Sequence, residues 1–377
     1  MVILFAGIVA GGYAHFAHAQ PAPPATESSE LVWTDARTLT LEGRGWTNTK
    51  CSFDRLPASA EGVVRPEVWN LSRHSAGLAV RFVTDATAIS ARWRLTSPNL
   101  ALPNMAAIGV SGLDLYVRDG KSGWRWAGFG APRAVTNTAM LVSGLPPGQR
   151  EFLLYLPLYN GVMSLELGVA SNAALRPAGP WGPGRRKPIV FYGTSITQGA
   201  SASRPGMCHV AMLGRRFNRP TINLGFSGQG RMEPELATLL TELAPAVFVL
   251  DCLPNMNAAG VRERVVPFVK TLRAAHPVTP IVLVEDRVNA NTVLLPQRAA
   301  HHRANHEALR AAYQQLRREG VRHLHYVKGD GLLGRDGEGT VDGSHPNELG
   351  FTRQAEALAR ALRPLLSHGN PRRRRPD

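Results

Sequence analysis

The stretch "FYGTSITQG" occupies Phe191–Gly199 and places a serine at the boundary between two kinds of pattern. Aromatic and β-branched residues lead up to Gly193, which favours a strand, and the polar turn that follows favours the start of a helix. The serine at this corner, Ser195, can be a helix cap and nothing more. It can also be a nucleophile held at the edge of a sheet, and the stretch alone allows both interpretations.

The chain from residue 188 onward repeats this change from strand to helix. Apolar strands are predicted at "PIVFYG", "TINLGF", "AVFVLDC", "PIVLVED" and "HLHYV", which begin at residues 188, 221, 246, 280 and 323. Amphipathic helices are predicted near His209–Phe217, near Pro234–Leu243, near Val261–Ala275, within Gln297–Glu319 and after Pro346. Such alternation predicts a parallel sheet that is covered by helices on both faces.

The polar residues of this region recur at the ends of its predicted strands. Ser195 ends the first strand, and "GFSGQG" (Gly225–Gly230) and "CLPNMN" (Cys252–Asn257) end the second and third. In parallel sheets the reactive groups collect at the carboxyl ends of the strands. We therefore expect these three stretches to meet at one site.

The preceding part of the chain has the period-two alternation of half-buried strands. "GLAVRFV" from Gly77, "AISARWRL" from Ala88 and "LDLYVRD" from Leu113 alternate apolar and polar residues. This pattern predicts an all-β sandwich, jelly-roll-like, over residues 30–175. Proline and glycine are dense in residues 176–187, which predicts a linker without regular structure, and the second domain then spans residues 188–366.

Composition and charge restrict the function classes. A hydrophobic content of 44% with 19% charged residues predicts a folded globular protein, and the formal net charge is +15. A basic surface attracts anionic polymers or membrane surfaces. The chain lacks basic residues interleaved with base-stacking aromatics, so we expect no nucleic acid partner. The run Arg372–Arg375 predicts a solvated, disordered basic tail over residues 367–377.

The amino terminus has the pattern of an export signal. An apolar run, Val2–Tyr13, precedes the small-x-small triplet Ala17–Ala19, which predicts a signal peptide over residues 1–19, although no basic residue precedes the run. The run is too short to favour a membrane span, so we expect a secreted or periplasmic protein without stable membrane insertion. The three cysteines, Cys51, Cys208 and Cys252, allow at most one disulfide and have no zinc-site spacing.

A base for Ser195 is available near the carboxyl terminus in "DGSHPNELG", Asp342–Gly350. A serine hydroxyl needs a base to take its proton, and histidine oriented by a carboxylate is the usual one. Asp342 and His345 are three residues apart, so the carboxylate can reach Nδ1 and leave Nε2 facing a hydroxyl. A surface turn with a helix cap is an equally good interpretation of this motif alone.

An acyl-transfer site also needs donors for a developing oxyanion. The backbone N–H of Ser195 lies at a helix start, the N–H of Gly228 is approachable because glycine has no side chain, and Asn255 carries a neutral NH₂ group. Taken singly, a turn glycine and a helix-capping asparagine are the better interpretations of Gly228 and Asn255.

Taken together, the serine block, Gly228, Asn255 and the Asp-x-x-His motif resemble the SGNH (GDSL-like) serine hydrolase superfamily over about residues 187–366. The resemblance implies a flavodoxin-like α/β domain in which Ser195 is the nucleophile and His345 the base. It further implies an oxyanion hole formed by Ser195, Gly228 and Asn255, with no metal and no cofactor.

Two blocks depart from the family pattern. The first reads Gly-Thr-Ser-Ile around Ser195, and the third reads Leu-Pro-Asn-Met around Asn255 in place of Gly-x-Asn-Asp. Asn255 is therefore the less certain oxyanion donor, and Asn257 is the substitute candidate.

A second resemblance lies upstream in "GLDLY", Gly112–Tyr116. It is similar to the Gly-x-Asp-Leu-Tyr signature of the β-sandwich that precedes the hydrolase domain in one bacterial subfamily. That subfamily resembles carbohydrate esterases, which implies a small-molecule or glycan ester as substrate. A short, in particular acetyl, acyl group is favoured because no long apolar insertion could form a lid. The alternative is a catalytically weak relative that binds glycans.

Two other groups of residues are candidates for contact with a metal, a substrate or the Asp342 loop. His302 and His306 are four residues apart on a predicted helix and could bind a metal, but a solvated helix face is the favoured interpretation. Glu285–Arg287 ends the fourth strand and could touch substrate or hold the Asp342 loop, and the sequence does not choose between them.

Overall fold

The structure is a computed structural model that describes residues 30–120 and 123–367. The predicted signal peptide lies outside the described residues, as does the predicted basic tail apart from Ser367. Ser367 is the last residue of the final helix rather than part of a separate tail.

The first half of the chain is an antiparallel β-sandwich. Its strands are β1 (Leu31–Asp35), β2 (Thr40–Glu42), β3 (Ala79–Thr84), β4 (Ile89–Leu95), β5 (Leu113–Asp119), β6 (Gly123–Gly130), β7 (Thr136–Val142), β8 (Arg150–Tyr155), β9 (Val162–Ala170) and β10 (Leu175–Pro177). One sheet has the order β1-β9-β4-β7, and the other has the order β10-β3-β8-β5-β6 with β2 beside β3. Alternate side chains of both sheets, among them Trp93, Leu167, Phe82 and Phe152, form one buried cluster. The predicted all-β sandwich is confirmed.

The sandwich also carries two short helices, α1 (Pro66–Ser72) and α2 (Ala107–Ser111). Single turns of 3-10 helix occur across the described residues at Ala36–Thr38, Ala58–Ala60, Pro205–Met207, Leu253–Asn255 and Thr292–Leu294.

The predicted linker begins inside a strand, contrary to the expectation of no regular structure. Arg176 and Pro177 of β10 pair with Val83 and Phe82 of β3. Proline is tolerated here because β10 is an edge strand, where a missing N–H leaves no internal ladder bond unmade.

The second half of the chain alternates strands and helices as predicted. The elements are β11 (Ile189–Gly193), α3 (Ser195–Gln198), α4 (His209–Phe217), β12 (Thr221–Gly225), α5 (Pro234–Thr241), β13 (Val247–Asp251), α6 (Ala258–Ala275), β14 (Ile281–Val284), α7 (Pro296–Arg318), β15 (Leu324–Val327) and α8 (Glu348–Ser367). The strands form one parallel sheet with the order β12-β11-β13-β14-β15, which is the flavodoxin-like order.

Both faces of this sheet are buried, as its apolar strands require. Val190 and Tyr192 of β11 pack on the side of α5, α6 and α7, whereas Ile189 and Phe191 pack on the side of α4 and α8. The β-sandwich adds to the second of these clusters, since Tyr155 and Leu158 pack in it. The two halves of the chain therefore share buried core.

Among the described residues, none of the helices has both the length and the apolar character needed to cross a bilayer. Cys51, Cys208 and Cys252 are free thiols in the structure, and burial raises the pKa of the Cys208 thiol to about 11.

Candidate active site

The ends of three neighbouring strands lie at one level of the parallel sheet. Gly193, the last residue of β11, is paired in register with Gly225 of β12 and with Asp251 of β13. The chain leaves the sheet at the same edge after each strand. This register brings together the stretches that follow the strands, which carry Ser195, Gly228 and Asn255.

The turn that carries Ser195 is buried and tightly packed. A Cβ atom at Gly193 would lie 2.6 Å from the carbonyl oxygen of Asp251, so only glycine fits between the strand and its neighbour. Thr194 caps α3 by accepting a hydrogen bond from the N–H of Ile196 at 3.3 Å. Ser195 is 8% exposed, and its Oγ lies 2.9 Å from Nε2 of His345.

The turn that carries His345 is built around the carboxylate of Asp342. One oxygen, Oδ1, accepts the backbone N–H groups of Ser344 at 3.1 Å and His345 at 2.8 Å. The other, Oδ2, lies 2.7 Å from Nδ1 of His345 and accepts an N–H of the Asn104 amide at 3.0 Å. The side chains of Ser195, His345 and Asp342 thus form one continuous chain of hydrogen bonds.

The hydrogen bonds to Asp342 keep it ionised. Burial raises the pKa of this carboxyl, but the hydrogen bonds from the backbone and ring of His345, from Asn104 and from Ser344 outweigh that effect. The net result is a pKa well below the usual value. An ionised carboxylate at Nδ1 leaves Nε2 as the nitrogen that can accept the Ser195 proton.

Gly228 and Asn255 lie side by side next to the serine turn. Gly228 has a φ of +71°, a conformation that favours glycine, and open space where a Cβ would point. One end of the Asn255 amide faces the backbone N–H groups of Gly228, Gln229 and Gly230, at 3.2, 2.9 and 3.1 Å, and because all three are donors we assign the amide oxygen to that end. With its oxygen engaged in this way, the amide has only its NH₂ group left to offer.

Asn257, the substitute candidate, has a different position. Its side chain caps α6 by accepting the N–H of Gly260 at 2.9 Å, and the residue is exposed. The helix-capping asparagine of this stretch is therefore Asn257, and Asn255 is the one that reaches the Gly228 loop.

Sequence reasoning missed Gln198, which connects the serine turn to its surroundings. Its Oε1 accepts the N–H of Ser227 at 3.0 Å, next to Gly228, and its Nε2 donates to the carbonyl of Leu158 in the sandwich at 3.0 Å. His74 lies 3.2 Å from the same Nε2, and burial, aided by the charge of Arg55, lowers the pKa of His74 to about 4. The sequence shows a glutamine within "FYGTSITQG", but it does not show the role of Gln198, because most of its hydrogen-bond partners are remote in sequence.

Glu285–Arg287 holds the fold rather than the Asp342 loop. Arg287 forms a buried ion pair with Asp251 at 2.7 Å. Glu285 accepts hydrogen bonds from the Tyr326 hydroxyl and from the N–H of Gly329 at 2.9 Å. Glu285 therefore holds β15 and the segment after it rather than the Asp342 loop, and Arg287 pairs with the end of β13.

The favoured interpretation of the His302 and His306 pair is wrong for His302. This side chain is buried, with Nδ1 3.2 Å from the carboxylate of Asp286 and Nε2 2.9 Å from the Asn289 amide oxygen. His306 is half-buried and contacts the Asp286 carbonyl at 2.8 Å. Within residues 30–120 and 123–367, no group of three or more His, Cys, Asp or Glu side chains has a geometry that could hold a metal ion.

Comparison with known families gives two matches that together cover most of the chain. A sequence model of the GDSL-like lipase/acylhydrolase family matches residues 186–363. A model described as the GxDLY N-terminus of SGNH-hydrolase-type esterases matches residues 31–175. Among curated proteins, none matches the chain.

Three solved structures illustrate how similar the chain is to known proteins. A protein of Bacteroides ovatus described as a GDSL-like lipase is 38% identical, with a TM-score of 0.85 over 90% of this chain and 98% of that one. The salicylyl-acyltransferase SsfX3 of a tetracycline biosynthetic pathway is 21% identical, with a TM-score of 0.72 over 89% and 97%. The acetyl xylan esterase Est2A of Butyrivibrio proteoclasticus is 11% identical, with a TM-score of 0.57 over 90% and 99%. The last two show a shared fold.

Proposed function

The chain belongs to the GDSL-like lipase/acylhydrolase family and is an ester hydrolase; from this premise we propose that it is a serine esterase that cleaves short-chain esters through Ser195, His345 and Asp342. One observation carries the proposal: Ser195 Oγ lies 2.9 Å from His345 Nε2, and His345 Nδ1 lies 2.7 Å from Asp342 Oδ2. These distances are within the hydrogen-bonding reach that a nucleophile, its base and an orienting carboxylate need.

The reaction proceeds in two half-reactions. His345 Nε2 takes the Ser195 proton while Oγ attacks the ester carbonyl, and the resulting imidazolium protonates the departing alcohol. His345 Nε2 then takes a proton from a water molecule that attacks the acyl-enzyme, and the imidazolium gives this proton to Ser195 Oγ as the acyl bond breaks. Throughout, Asp342 keeps Nδ1 protonated and the ring oriented.

The oxyanion is stabilised by the N–H groups of Ser195 and Gly228 and by the NH₂ group of Asn255. Two observations support this assignment. Ser195 begins α3, where amide hydrogens lack an intrahelical acceptor. The N–H of Gly228 lies 3.2 Å from the Asn255 amide, so these two proposed donors are neighbours.

The substrate is a short-chain ester, in particular an acetyl ester on a carbohydrate. The absence of a long apolar insertion in the sequence argues against a lipid acyl chain. The acetyl xylan esterase with a similar fold acts on an acetylated glycan, which is consistent with this choice. A signal peptide over residues 1–19 would deliver the enzyme to a compartment in which such glycans occur.

The test is a panel of esters, from acetyl to long acyl and from aryl alcohols to acetylated xylo-oligosaccharides, combined with labelling by a fluorophosphonate probe. The wild type should react with the probe and prefer acetyl esters, and both properties should survive exhaustive chelation of metals. A wild type that binds acetylated glycans but neither turns them over nor reacts with the probe would overturn the proposal in favour of a glycan-binding protein. Loss of activity on chelation, with recovery on adding zinc, would overturn the metal-free mechanism.

A further inference from the structure

The carboxylate of Asp342 has a partner from the other half of the molecule. Asn104 belongs to the β-sandwich, 238 residues away in sequence, and its amide Nδ2 donates to Asp342 Oδ2 at 3.0 Å. The same oxygen faces Nδ1 of His345 at 2.7 Å. Asn104 therefore contacts the atom that orients the histidine, although it lies outside every motif of the hydrolase domain.

Asn104 is presented by a turn that its neighbours hold rigid. Leu102 and Met105 exchange two backbone hydrogen bonds of 3.0 Å, so that Asn104 sits at the tip of a two-residue turn. Met105 is 4% exposed and anchors the turn in the core that the two domains share. Because the backbone of this turn is fixed before the reaction, positioning the Asn104 amide at Asp342 costs little conformational entropy.

The helix that follows this turn is fitted closely against the segment after the nucleophile. A Cβ at Gly109 of α2 would lie 2.1 Å from the carbonyl oxygen of Ala202, so the two backbones approach more closely than a side chain would allow. In addition, the hydroxyl of Tyr159 donates to the carbonyl of Ser195 at 3.3 Å. The sandwich thus contacts both the serine turn and the Asp342 turn.

The Gly-Leu-Asp-Leu-Tyr stretch provides the main clamp between the domains. The buried carboxylate of Asp114 accepts hydrogen bonds from Arg204 at 2.9 and 3.0 Å and from the N–H of Gly206 at 2.8 Å. Tyr116 accepts a further bond from Arg204 at 2.6 Å. These contacts hold the segment that follows α3 against the sandwich.

We propose that Asn104 is a positioning residue of the esterase, so that the β-sandwich completes the catalytic centre rather than merely covering its edge. The inference rests on the proposed function, since it needs Asp342 and His345 in their catalytic roles. The physical reason is the exposure of the Asp342 side chain, 36% of which is accessible. An exposed carboxylate rotates and exchanges partners with water, and the amide of Asn104 restricts it to the orientation that meets Nδ1.

The first experiment replaces Asn104 with alanine in the full-length protein and measures steady-state kinetics on an acetyl ester. Losing a hydrogen bond to a charged group should reduce kcat roughly ten- to a hundredfold, with KM changed less than about twofold. Asn99→Ala is the matched control, because it removes an exposed asparagine from the same loop. The control should keep wild-type kinetics.

The second experiment distinguishes positioning from a general loss of structure. In an Asp342→Ala background, Asn104→Ala should cause no further loss, because its partner is already gone. Asn104→Asp preserves the shape of the side chain but sets a negative charge beside Asp342, so it should be at least as impaired as Asn104→Ala. Melting temperatures of all the single variants should stay close to that of the wild type.

Either of two results would overturn the inference. One is an Asn104→Ala variant within about twofold of the wild-type kcat. The other is an equal loss from Asn104→Ala in the wild-type and the Asp342→Ala backgrounds, which would indicate a structural role. Failure of the proposed function itself is recognised separately, because in that case Ser195→Ala would remain active.

Discussion

The turn that carries Ser195 and the turn that carries His345 are held in different ways. The first is part of the parallel sheet: Thr194 is fully buried, Ser195 is 8% exposed, and the strand before them pairs with neighbours on both sides. The second lies beyond the sheet, where the side chains of Asp342 and His345 are 36% and 26% exposed. The serine turn is therefore held mainly by burial in the sheet, with added contacts from the sandwich, whereas the histidine turn depends on local hydrogen bonds and on Asn104 of the sandwich.

This difference indicates that the two turns are ordered by different means, the first by burial and the second by hydrogen bonds. A buried turn at the end of a sheet strand holds Ser195, the proposed nucleophile, in one position. An exposed turn leaves room for substrate and product, and the four hydrogen bonds to Asp342 supply the order that burial would otherwise provide. We expect variants of the serine turn and of the histidine turn to differ in how activity and stability respond.

The largest effect is expected at the nucleophile. Ser195→Ala should reduce turnover by about 10⁴–10⁶ and should abolish labelling by a fluorophosphonate. Stability should barely change, because the side-chain hydroxyl has its hydrogen bond to His345 and little other role in packing. Kinetics and a thermal melt check both statements. If the variant keeps more than about a tenth of the wild-type activity, Ser195 is not the nucleophile.

Asp342→Asn should be nearly as damaging to activity. An asparagine has one acceptor oxygen where Asp342 uses two, so it cannot bind both the backbone N–H groups and the protonated Nδ1 of His345. The ring is then free to adopt the wrong tautomer, which in serine hydrolases reduces kcat by about 10⁴. Single-turnover kinetics on an acetyl ester should show the loss in the acylation step. A decrease of less than about tenfold would mean that the carboxylate is dispensable.

The sequence predicted the local geometry of both turns, but it did not predict the contact between the histidine turn and the sandwich. Strand-to-helix periodicity specifies where β11 ends, and α4 was predicted at its observed limits, His209–Phe217. The register that aligns Gly193 with Gly225 and Asp251 follows from parallel pairing of equally apolar strands. The contact between Asn104 and Asp342 follows from no periodicity, because it depends on how two domains pack over 238 residues.

Two short helices and one buried histidine were also not predicted, because their local sequence patterns are weak. The helices α1 and α2 have seven and five residues, too few to show a helical period. His302 faces Asp286 from a helix whose apolar residues are mostly alanines scattered among polar ones, so the apolar face is weakly marked and does not show that His302 is buried. In both cases tertiary contacts decide what the local sequence leaves open.

An intermediate effect is expected at Asn255, which lies between the two turns. Asn255→Ala should reduce kcat by roughly 10²–10³, the usual cost of one oxyanion donor, with a small change in KM. Asn255→Asp should be at least as impaired, because it adds a negative charge beside the developing one, and its deficit should ease as pH falls.

Asn257→Ala is the matched control for Asn255, two residues away. It removes the cap of α6 and should cost about 1 kcal/mol of stability while leaving turnover almost unchanged. Steady-state kinetics and urea denaturation of the variants at both positions separate the two roles. If Asn257→Ala is catalytically crippled and Asn255→Ala is not, the oxyanion donor is Asn257.

The smallest effect is expected for the contribution of the Asp342 carboxylate to the free energy of unfolding. Because the folded-state pKa of Asp342 lies below its ordinary value of 3.8, its ionised form favours the folded protein above that pH. This contribution should be lost as pH falls through the lower folded value. The side chain is 36% exposed, so solvent screening limits the contribution to less than about 1 kcal/mol.

Urea denaturation of the wild type and of Asp342→Asn measures this contribution directly. At pH 7 the variant should be less stable by that small amount, and the difference should narrow once the pH is below about 4, where the unfolded wild type begins to take up a proton. If Asp342→Asn lowers the free energy of unfolding by several kcal/mol at pH 7, the histidine turn is needed for folding, and the contrast drawn above between the two turns is wrong. A small loss of stability beside a large loss of turnover would show instead that Asp342 acts by orienting His345.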